Sequence, residues 1–209
     1  MCACAKIIKK KWGERVNGIA RGSVLTCELS LSDAELSARL GGKTSFNDER
    51  IKAVCSDIFA VSDIKFVAAR LSLKRDGSSV YFDGFSIASD ALSRYFEYCS
   101  ETYLFVLTLG VGVDRLIMKK KARSLSDGFI YDAFSSAIAE AACDAAEKKI
   151  LGKEKTKKRF SPGYSDCPLE AQRDIFKALS VDKYIGVKLL DSLLMAPMKS
   201  VSAFVAILP

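Results

Sequence analysis

Apolar and polar positions alternate, or recur at helical spacing, over most of this chain. Residues 22–31 (GSVLTCELSL) alternate well enough to predict a strand. The following SDAELSARLGG is typical of a short capped helix that ends at Gly41 and Gly42. Asn47 can cap a second helix, in which apolar side chains recur at three-four spacing and should face the core. These side chains are Ile51, Val54, Cys55, Ile58 and Phe59.

Two β-prone runs in the middle of the chain predict a hairpin. Residues 64–75 and 80–87 are rich in β-branched and aromatic residues and are joined by the turn DGSS. Ser89 can cap the short helix that follows. Residues 102–110 (TYLFVLTLG) then form a strand apolar enough to be buried on both faces. We expect the sheet in this part to be antiparallel.

A glycine pair after that strand matches part of a dinucleotide-binding fingerprint. Gly110 and Gly112 stand between the strand and a predicted helix, GVGVDRLIMKKKA. The third glycine position is occupied by Arg115, and no regular βαβ alternation surrounds it. We therefore interpret Gly110 and Gly112 as turn residues.

The longest predicted helix runs from Ser126 to about Ile150 and carries many small residues. It can pack very closely against a neighbour or a ligand, because little side chain separates the backbones. The small residues are Ala133, Ser136, Ala137, Ala141 and Ala145. Glu140 lies at the border of this small-residue face, where an isolated carboxylate is most simply half-exposed.

The carboxyl-terminal part predicts a helix at 168–179 and a helical turn at 181–187. The runs at 188–197 and 200–208 are most simply a closing hairpin around Pro197, Met198 and Lys199.

Composition bounds the domain organisation. With 209 residues, 49% hydrophobic and 27% charged, the chain is typical of one compact unit over residues 1–209. Residues 1–20 form a basic amino terminus that can be flexible. The longest uncharged stretch, 102–113, is well short of the ~20 apolar residues that a membrane-spanning helix needs. No apolar signal-peptide region follows the first residues, so we expect a cytoplasmic protein without membrane contact.

The chain contains seven cysteines and no histidine. An odd number of widely spaced cysteines predicts reduced thiols that serve as small hydrophobes. The absence of histidine excludes Ser-His-Asp and Cys-His catalysis and the usual mixed zinc sites. Cys2 and Cys4 alone make a weak metal motif, so we predict no metal site and no acid–base catalytic residue.

The net charge of +7 comes mostly from clusters near the amino end, at 119–123 and at 148–159. Basic clusters can bind nucleic acid, but they more often form a solvated face or dock an acidic protein. No nucleic-acid signature accompanies them. A nucleic-acid binder therefore ranks last, and we predict a protein partner.

Residues 159–168 (RFSPGYSDCP), which we call the Arg159 loop, resemble neither a helix, a strand nor an ordinary linker. Pro162 fixes one backbone angle, and Gly163 permits conformations and close approaches that are closed to other residues. Arg159 offers a planar fork of donors to a carboxylate, and Tyr164 offers an aromatic face to a cation. The alternative is a plain connection between two helices.

The segments RFSPGYSDCPLEAQRDIFKAL and VDKYIGVKLLDSLLMAPMKSVSAF resemble the activation (reactivation) domain of cobalamin-dependent methionine synthase. The resemblance is carried by an Arg-x-x-x-Gly-Tyr loop, a Cys-Pro helix start, a Gly-x-Lys-Leu segment and a Met-x-Pro-x-x-Ser-Val-Ser hairpin. Earlier segments look like short, free-standing relatives, found where the synthase is split into separate chains. The resemblance implies an α+β fold, with a curved antiparallel sheet, flanking helices and the long helix behind the Arg159 loop.

The resemblance also implies a function. Family members bind S-adenosylmethionine and present its methyl group to the cobalamin of the synthase when the cobalt has been oxidised to the cob(II) state. A flavodoxin-type donor supplies the one electron that this methylation requires. The domain contributes placement, which needs no acid–base residue. The implied cofactors are S-adenosylmethionine and cobalamin carried by the partner, and the implied partners are a separate cobalamin-binding methionine synthase chain and a flavodoxin-type reductant.

The resemblance extends to single positions. Arg159 matches the family arginine that holds the methionyl carboxylate, and Ser161, Gly163 and Tyr164 match its loop contacts to the ligand. Glu140 matches an acidic ligand-binding residue on the preceding helix. Two family contacts, an acidic residue from the amino-terminal part and a tyrosine beyond the final hairpin, find no match here. A docking or reactivation module for another corrinoid methyltransferase, without tight S-adenosylmethionine binding, therefore stays open.

Overall fold

The computed structural model describes residues 15–16, 18–31, 33–40 and 48–209. In that part of the chain the strands are β1 (Arg15–Val16), β2 (Ile19–Ser23), β3 (Lys65–Asp76), β4 (Ser79–Phe82), β5 (Phe85–Ala88), β6 (Glu101–Thr108), β7 (Lys188–Leu189), β8 (Met195–Ala196) and β9 (Ser200–Ile207). The helices are α1 (Asp33–Leu40), α2 (Glu49–Val61), α3 (Asp90–Tyr95), α4 (Val111–Arg123), α5 (Leu125–Leu151), α6 (Ala171–Leu179) and α7 (Val181–Ile185).

The main sheet is antiparallel and curled, and it is organised by the long strand β3. The first part of β3 pairs with β2 on one side and with β6 on the other, and its last four residues pair with β4. β6 pairs along its whole length with β9. The order is therefore β1-β2-β3-β6-β9, with β4 and β5 extending from the far end of β3. The expected α+β fold with a curved antiparallel sheet is confirmed.

Alternate side chains of the central strands build two separate cores, one on each face of the sheet. Phe66, Phe105 and Val205 pack with α2, α4 and α5 on one face. Leu104 and Phe204 pack with α3, α6 and α7 on the other face. Every residue of β6 after Glu101 is buried because both faces of the strand are covered, as predicted. None of the described helices combines the length and the apolarity needed to cross a membrane.

Three predictions for the first half of the chain need correction. The strand predicted at 22–31 ends at Ser23 and gives way to a 3-10 helix at Thr26–Glu28, because Glu28 turns back and accepts the Leu25 backbone N–H at 2.6 Å. Asp48 caps α2 by accepting the Arg50 N–H at 2.8 Å, and Asn47 lies outside the described residues. The predicted run at 80–87 splits at Gly84, whose φ of +93° makes a second turn between β4 and β5.

The predicted closing hairpin is also wrong. Strand β7 pairs with β8 in a small separate hairpin, whereas β9 pairs with β6 in the main sheet. The reason is burial, because Phe204 and Ala206 face one core and Ala203, Val205 and Ile207 face the other. A strand that is apolar on both faces is stabilised most when each face is covered by a packed layer.

Gly110 and Gly112 play different parts. Gly110 caps α4 with a φ of +89° and is the predicted turn residue. Gly112 lies inside the first turn of α4, which corrects the prediction for that residue. A Cβ atom at position 112 would lie 2.3 Å from the carbonyl oxygen of Val61 at the end of α2. Glycine therefore permits the close contact between the two helices.

Replacement of Gly112 by alanine should lower the free energy of unfolding by about 1–3 kcal/mol, because backbone atoms must shift to admit the methyl group. Helix propensity alone predicts a gain of about 1 kcal/mol, so the sign of the effect is informative. Urea denaturation would measure it. Exposed Lys119 of the same helix, changed to alanine, is the control and should move stability by less than about 0.5 kcal/mol. Unchanged stability of the Gly112→Ala protein would contradict the prediction.

Candidate ligand-binding site

The chain that follows α5 runs antiparallel beside β9 and positions Arg159. Phe160 and Phe204 exchange backbone hydrogen bonds of 2.9 and 2.8 Å, and the Leu208 N–H donates to the Lys155 carbonyl at 2.9 Å. Successive side chains of an extended segment point to opposite faces. Phe160 packs against the core on the α6 face, and Arg159 accordingly reaches α5 on the other face.

Tyr95 fastens this segment to the sheet. Its hydroxyl donates to the Lys158 carbonyl at 2.9 Å and accepts the Ala206 N–H at 2.9 Å. The Nζ of Lys157 donates in turn to the Tyr95 carbonyl at 2.7 Å. Burial raises the pKa of Tyr95 to about 12, so the hydroxyl keeps its proton and remains a donor at neutral pH.

The rest of the Arg159 loop is a tight turn closed by its own backbone. The Gly163 N–H donates to the Cys167 carbonyl at 3.0 Å, and the Cys167 N–H donates to the Tyr164 carbonyl at 3.0 Å. Gly163 has a φ of +87°, and a Cβ atom there would approach Leu169 Cδ1 to 3.1 Å. Glycine is therefore required for the shape of this turn.

Asp166 joins the Arg159 loop to the start of α3. Its carboxylate accepts the Ser89 hydroxyl at 2.9 Å and the backbone N–H groups of Asp90 and Ala91 at 2.6 and 3.0 Å. These hydrogen bonds hold the pKa of Asp166 below its ordinary value of 3.8, and the bond from the Ala91 N–H contributes most. The Asp166 carboxylate thus supplements Ser89, the predicted N-cap of α3, whose hydroxyl accepts the Leu92 N–H at 3.0 Å.

Changing Asp166 to asparagine should destabilise the protein at pH 7 and leave it no less stable than the wild type in acid. A carboxylate with a lowered folded-state pKa stabilises the fold above its unfolded pKa, and that contribution disappears as the pH falls through the folded value. Thermal unfolding from pH 7 to pH 2.5 would measure the difference. Exposed Asp191, changed to asparagine, is the control. A stability difference that persisted unchanged at the lowest pH would contradict this role.

Arg159 meets three carboxylates from successive turns of α5, which we call the acidic face. Its Nη1 donates to Asp144 Oδ1 at 2.8 Å and to Glu147 Oε1 at 2.6 Å, and its Nη2 donates to Glu140 Oε2 at 2.8 Å. Residues spaced by three or four positions lie on one side of a helix, which is why these three carboxylates converge. Arg39 of α1 adds a second cation, 3.8 Å from Glu140.

Burial differs sharply within this cluster. The side chains of Arg159 and Glu147 are 17% and 18% exposed, whereas those of Glu140 and Asp144 are 39% and 62% exposed. Burial raises the pKa of Glu147 despite its contact with Arg159. Burial opposes the charge of Arg159 as well, but its interactions with Cys143, Glu147 and Asp144 outweigh burial and raise its pKa, so the guanidinium stays charged.

A cavity of about 540 Å³ opens beside this cluster. Its lining consists of Glu140, Asp144, Glu147, Lys158, Arg159, Phe160, Ser161, Tyr164 and Val201. Four of the predicted site residues, Glu140, Arg159, Ser161 and Tyr164, therefore share one cavity. Gly163 is absent from this lining and shapes the turn instead, so its contact with a ligand stays a prediction. Among the described residues, no group of three or more cysteine, aspartate or glutamate side chains could hold a metal ion.

Sequence reasoning missed Asp144 and Glu147. Both lie on the acidic face with Glu140, at the spacing i, i+4, i+7, and that spacing was a usable signal. Phe160 and Val201 were missed because they come from an extended segment and a strand whose pairing was not predicted. Together the lining offers a guanidinium, carboxylates and apolar surface, which suits a ligand that bears charges of both signs.

Comparison with known proteins places the chain among described families. Residues 102–209 match the family model described as vitamin B12 dependent methionine synthase, activation domain. The chain is also similar to the crystal structure of the MetH reactivation domain bound to AdoHcy, with a TM-score of 0.64 and 17% sequence identity. The match covers 93% of this chain and 79% of that chain, and at this identity it shows the fold. A search of curated proteins finds no match.

Proposed function

The chain belongs to the family of vitamin B12 dependent methionine synthase activation domains, and on that premise we propose that it binds S-adenosylmethionine and presents the methyl group to cobalamin on a separate methionine synthase chain. Family membership accounts for the fold and for a role in reactivation. The proposal adds the ligand and the separate partner.

One observation carries the proposal: Glu140 and the Arg159 loop line one cavity, and the Glu140 carboxylate lies 2.8 Å from Arg159, nineteen residues further along the chain. Its volume of about 540 Å³ falls within the roughly 300–1,000 Å³ typical of small-molecule sites. S-adenosylmethionine carries a carboxylate at its amino-acid end and positive charges on its ammonium and sulfonium groups. The residues present offer partners for both signs.

Each residue has a distinct part in this proposal. Arg159 binds the carboxylate through charge-assisted hydrogen bonds, and Glu140 faces the positively charged groups. Ser161, Gly163 and Tyr164 position the remainder of the ligand, with Tyr164 offering an aromatic face. When bound, S-adenosylmethionine supplies the methyl group that cobalamin accepts after one-electron reduction. The chain itself contributes proximity and orientation, which require no acid or base.

The partners follow from the family and from charge. An activation domain implies a cobalamin-binding partner. The clusters at 119–123 and 148–159 are basic and suit an acidic protein surface, such as that of a flavodoxin-type reductant. A cytoplasmic location is part of the same proposal, and it is supported by the free thiols of the described cysteines.

Titration calorimetry of the full chain with S-adenosylmethionine tests whether the ligand binds. The proposed role in reactivation is tested by transfer of a labelled methyl group to cobalamin on a synthase that lacks its own activation domain. We expect saturable binding and label transfer that requires both chains and a reductant. Absence of binding at millimolar ligand would overturn the ligand assignment.

A second candidate is a module that docks on a corrinoid protein, including another corrinoid methyltransferase, without binding S-adenosylmethionine tightly. It is favoured by the fact that Arg159 already contacts three carboxylates of its own chain. Normal capture of the corrinoid protein by a chain that shows no calorimetric signal would support this candidate.

A further inference from the structure

We propose that Asp144 occupies the position on Arg159 that the carboxylate of the ligand takes, and that it is displaced when the ligand binds, whereas Glu147 stays and holds the guanidinium in place. The inference rests on the proposed function and deepens it. It assigns opposite effects to two neighbouring carboxylates of the acidic face.

The first step is the crowding around one nitrogen. Nη1 of Arg159 donates to Asp144 at 2.8 Å and to Glu147 at 2.6 Å, so two carboxylate oxygens share a single NH₂ group. Like charges this close repel each other, and the repulsion is strong where water is partly excluded. Each carboxylate can accept one of the two N–H bonds of that group, but their mutual repulsion holds the pair less firmly than a single carboxylate at the same nitrogen.

The second step is which carboxylate can leave. The Asp144 side chain is 62% exposed, so water can solvate it once it rotates away from Arg159. The Glu147 side chain is 18% exposed, and outside its contact with Arg159 it would be a charge with little hydration. The cost of departure is therefore low for Asp144 and high for Glu147.

The third step explains why Asp144, and not Glu140, is the carboxylate that is displaced. Glu140 binds the other nitrogen, Nη2, and lies 3.8 Å from the second cation, Arg39. Its position close to two cations favours the present arrangement of Glu140. Asp144 is thus the exchangeable member of the cluster, and an entering carboxylate of the same charge can replace it with little change in local charge.

Calorimetric titration of the full chain with S-adenosylmethionine tests this assignment through Asp144→Ala and Glu147→Ala. Asp144→Ala should bind about three- to tenfold more tightly, because the internal competitor is gone and more of the protein is ready to bind. Glu147→Ala should bind about three- to tenfold more weakly, because Arg159 loses its fixed partner. Asp132→Asn is the control. The Asp132 side chain is exposed on the same helix and pairs with Lys199 instead of Arg159.

The decarboxylated analogue of S-adenosylmethionine supplies a sharper control. It lacks the group that competes with Asp144, so Asp144→Ala should not tighten its binding. Thermal unfolding of each variant identifies any change in affinity that reflects a loss of folded protein.

The outcomes separate two failures. If the wild type binds S-adenosylmethionine and Asp144→Ala binds equally or more weakly, Asp144 is a spectator or a ligand contact, and the inference is overturned while the proposed function stands. An equal gain with the decarboxylated analogue overturns it as well. If neither the wild type nor Asp144→Ala binds, the proposed function fails and the inference fails with it.

Discussion

Changing Arg159 to alanine is expected to weaken S-adenosylmethionine binding by about one to two orders of magnitude and to lower the free energy of unfolding by about 2–4 kcal/mol. The first effect follows from the loss of charge-assisted hydrogen bonds to the ligand carboxylate, each of which contributes ~1.5–3 kcal/mol when shielded. The second follows from the acidic face, because Glu147 is left partly buried without its counter-ion.

The two effects of Arg159→Ala can be separated by a double variant. Arg159→Ala combined with Glu147→Gln removes the unpaired charge, so stability should return toward the wild-type value while binding stays as weak as in the single variant. The deficit of the single variant should also depend on pH. A carboxyl whose folded pKa is raised costs stability above that pKa, and the cost is relieved as the pH falls through it. The deficit should therefore shrink between pH 7 and pH 5.

Calorimetry with S-adenosylmethionine and urea denaturation at both pH values would measure these effects. Arg123→Ala, which removes an exposed arginine at the end of α4, is the control for a loss of positive charge. Equal binding by the Arg159→Ala protein and the wild type would remove Arg159 from the ligand site. A stability deficit that the double variant does not reduce would show that Glu147 is not the source of the cost.

The largest effect on stability is expected at Phe204, where alanine should lower the free energy of unfolding by about 3–5 kcal/mol. Its ring is fully buried between Phe82, at a centroid distance of 5.5 Å, and Phe96, at 5.9 Å. Truncation leaves a cavity between rigid neighbours and removes aromatic contacts. The backbone of Phe204 also pairs with Phe160, so the Arg159 loop should loosen as well.

Chemical denaturation measures the Phe204 effect, and Phe129 offers a matched control because its ring is 60% exposed on α5. Phe129→Ala should change stability by less than about 0.5 kcal/mol. A loss below about 1 kcal/mol for Phe204→Ala would mean that the surrounding side chains collapse into the space, contrary to the rigid packing inferred here.

Much of the fold is predictable from the sequence where the spacing of apolar residues fits only one kind of secondary structure. The helical spacing of Ile51, Val54 and Ile58 gives the buried side of α2, and the uninterrupted apolar run in β6 gives a strand covered on both faces. Ser89 caps α3 as expected, because its hydroxyl accepts a backbone N–H regardless of the tertiary structure. Such local signals depend little on the rest of the chain.

Other features depend on contacts between distant parts of the chain. The apolar run in β9 indicates a strand covered on both faces, but nothing local identifies β6 as its partner rather than the preceding run. The requirement for glycine at position 112 is set by the close approach of Val61, fifty-one residues earlier in the chain. In the candidate site, the resemblance supplied Glu140 and Arg159, whereas the pairing of Asp144 and Glu147 with the arginine appears only once α5 and the segment after it are placed together.

The stretch from Lys155 to Phe160, described above for its effect on Arg159, also bears on self-association. The outer edge of a sheet offers unpaired N–H and C=O groups to any other extended chain, and native proteins blunt such edges with short strands and lysines. This stretch, KTKKRF, covers part of β9, so the new edge is brief and carries the exposed side chains of Lys155 and Lys158. Addition of a second copy to this edge would therefore bring like charges together, which we expect to oppose such an assembly.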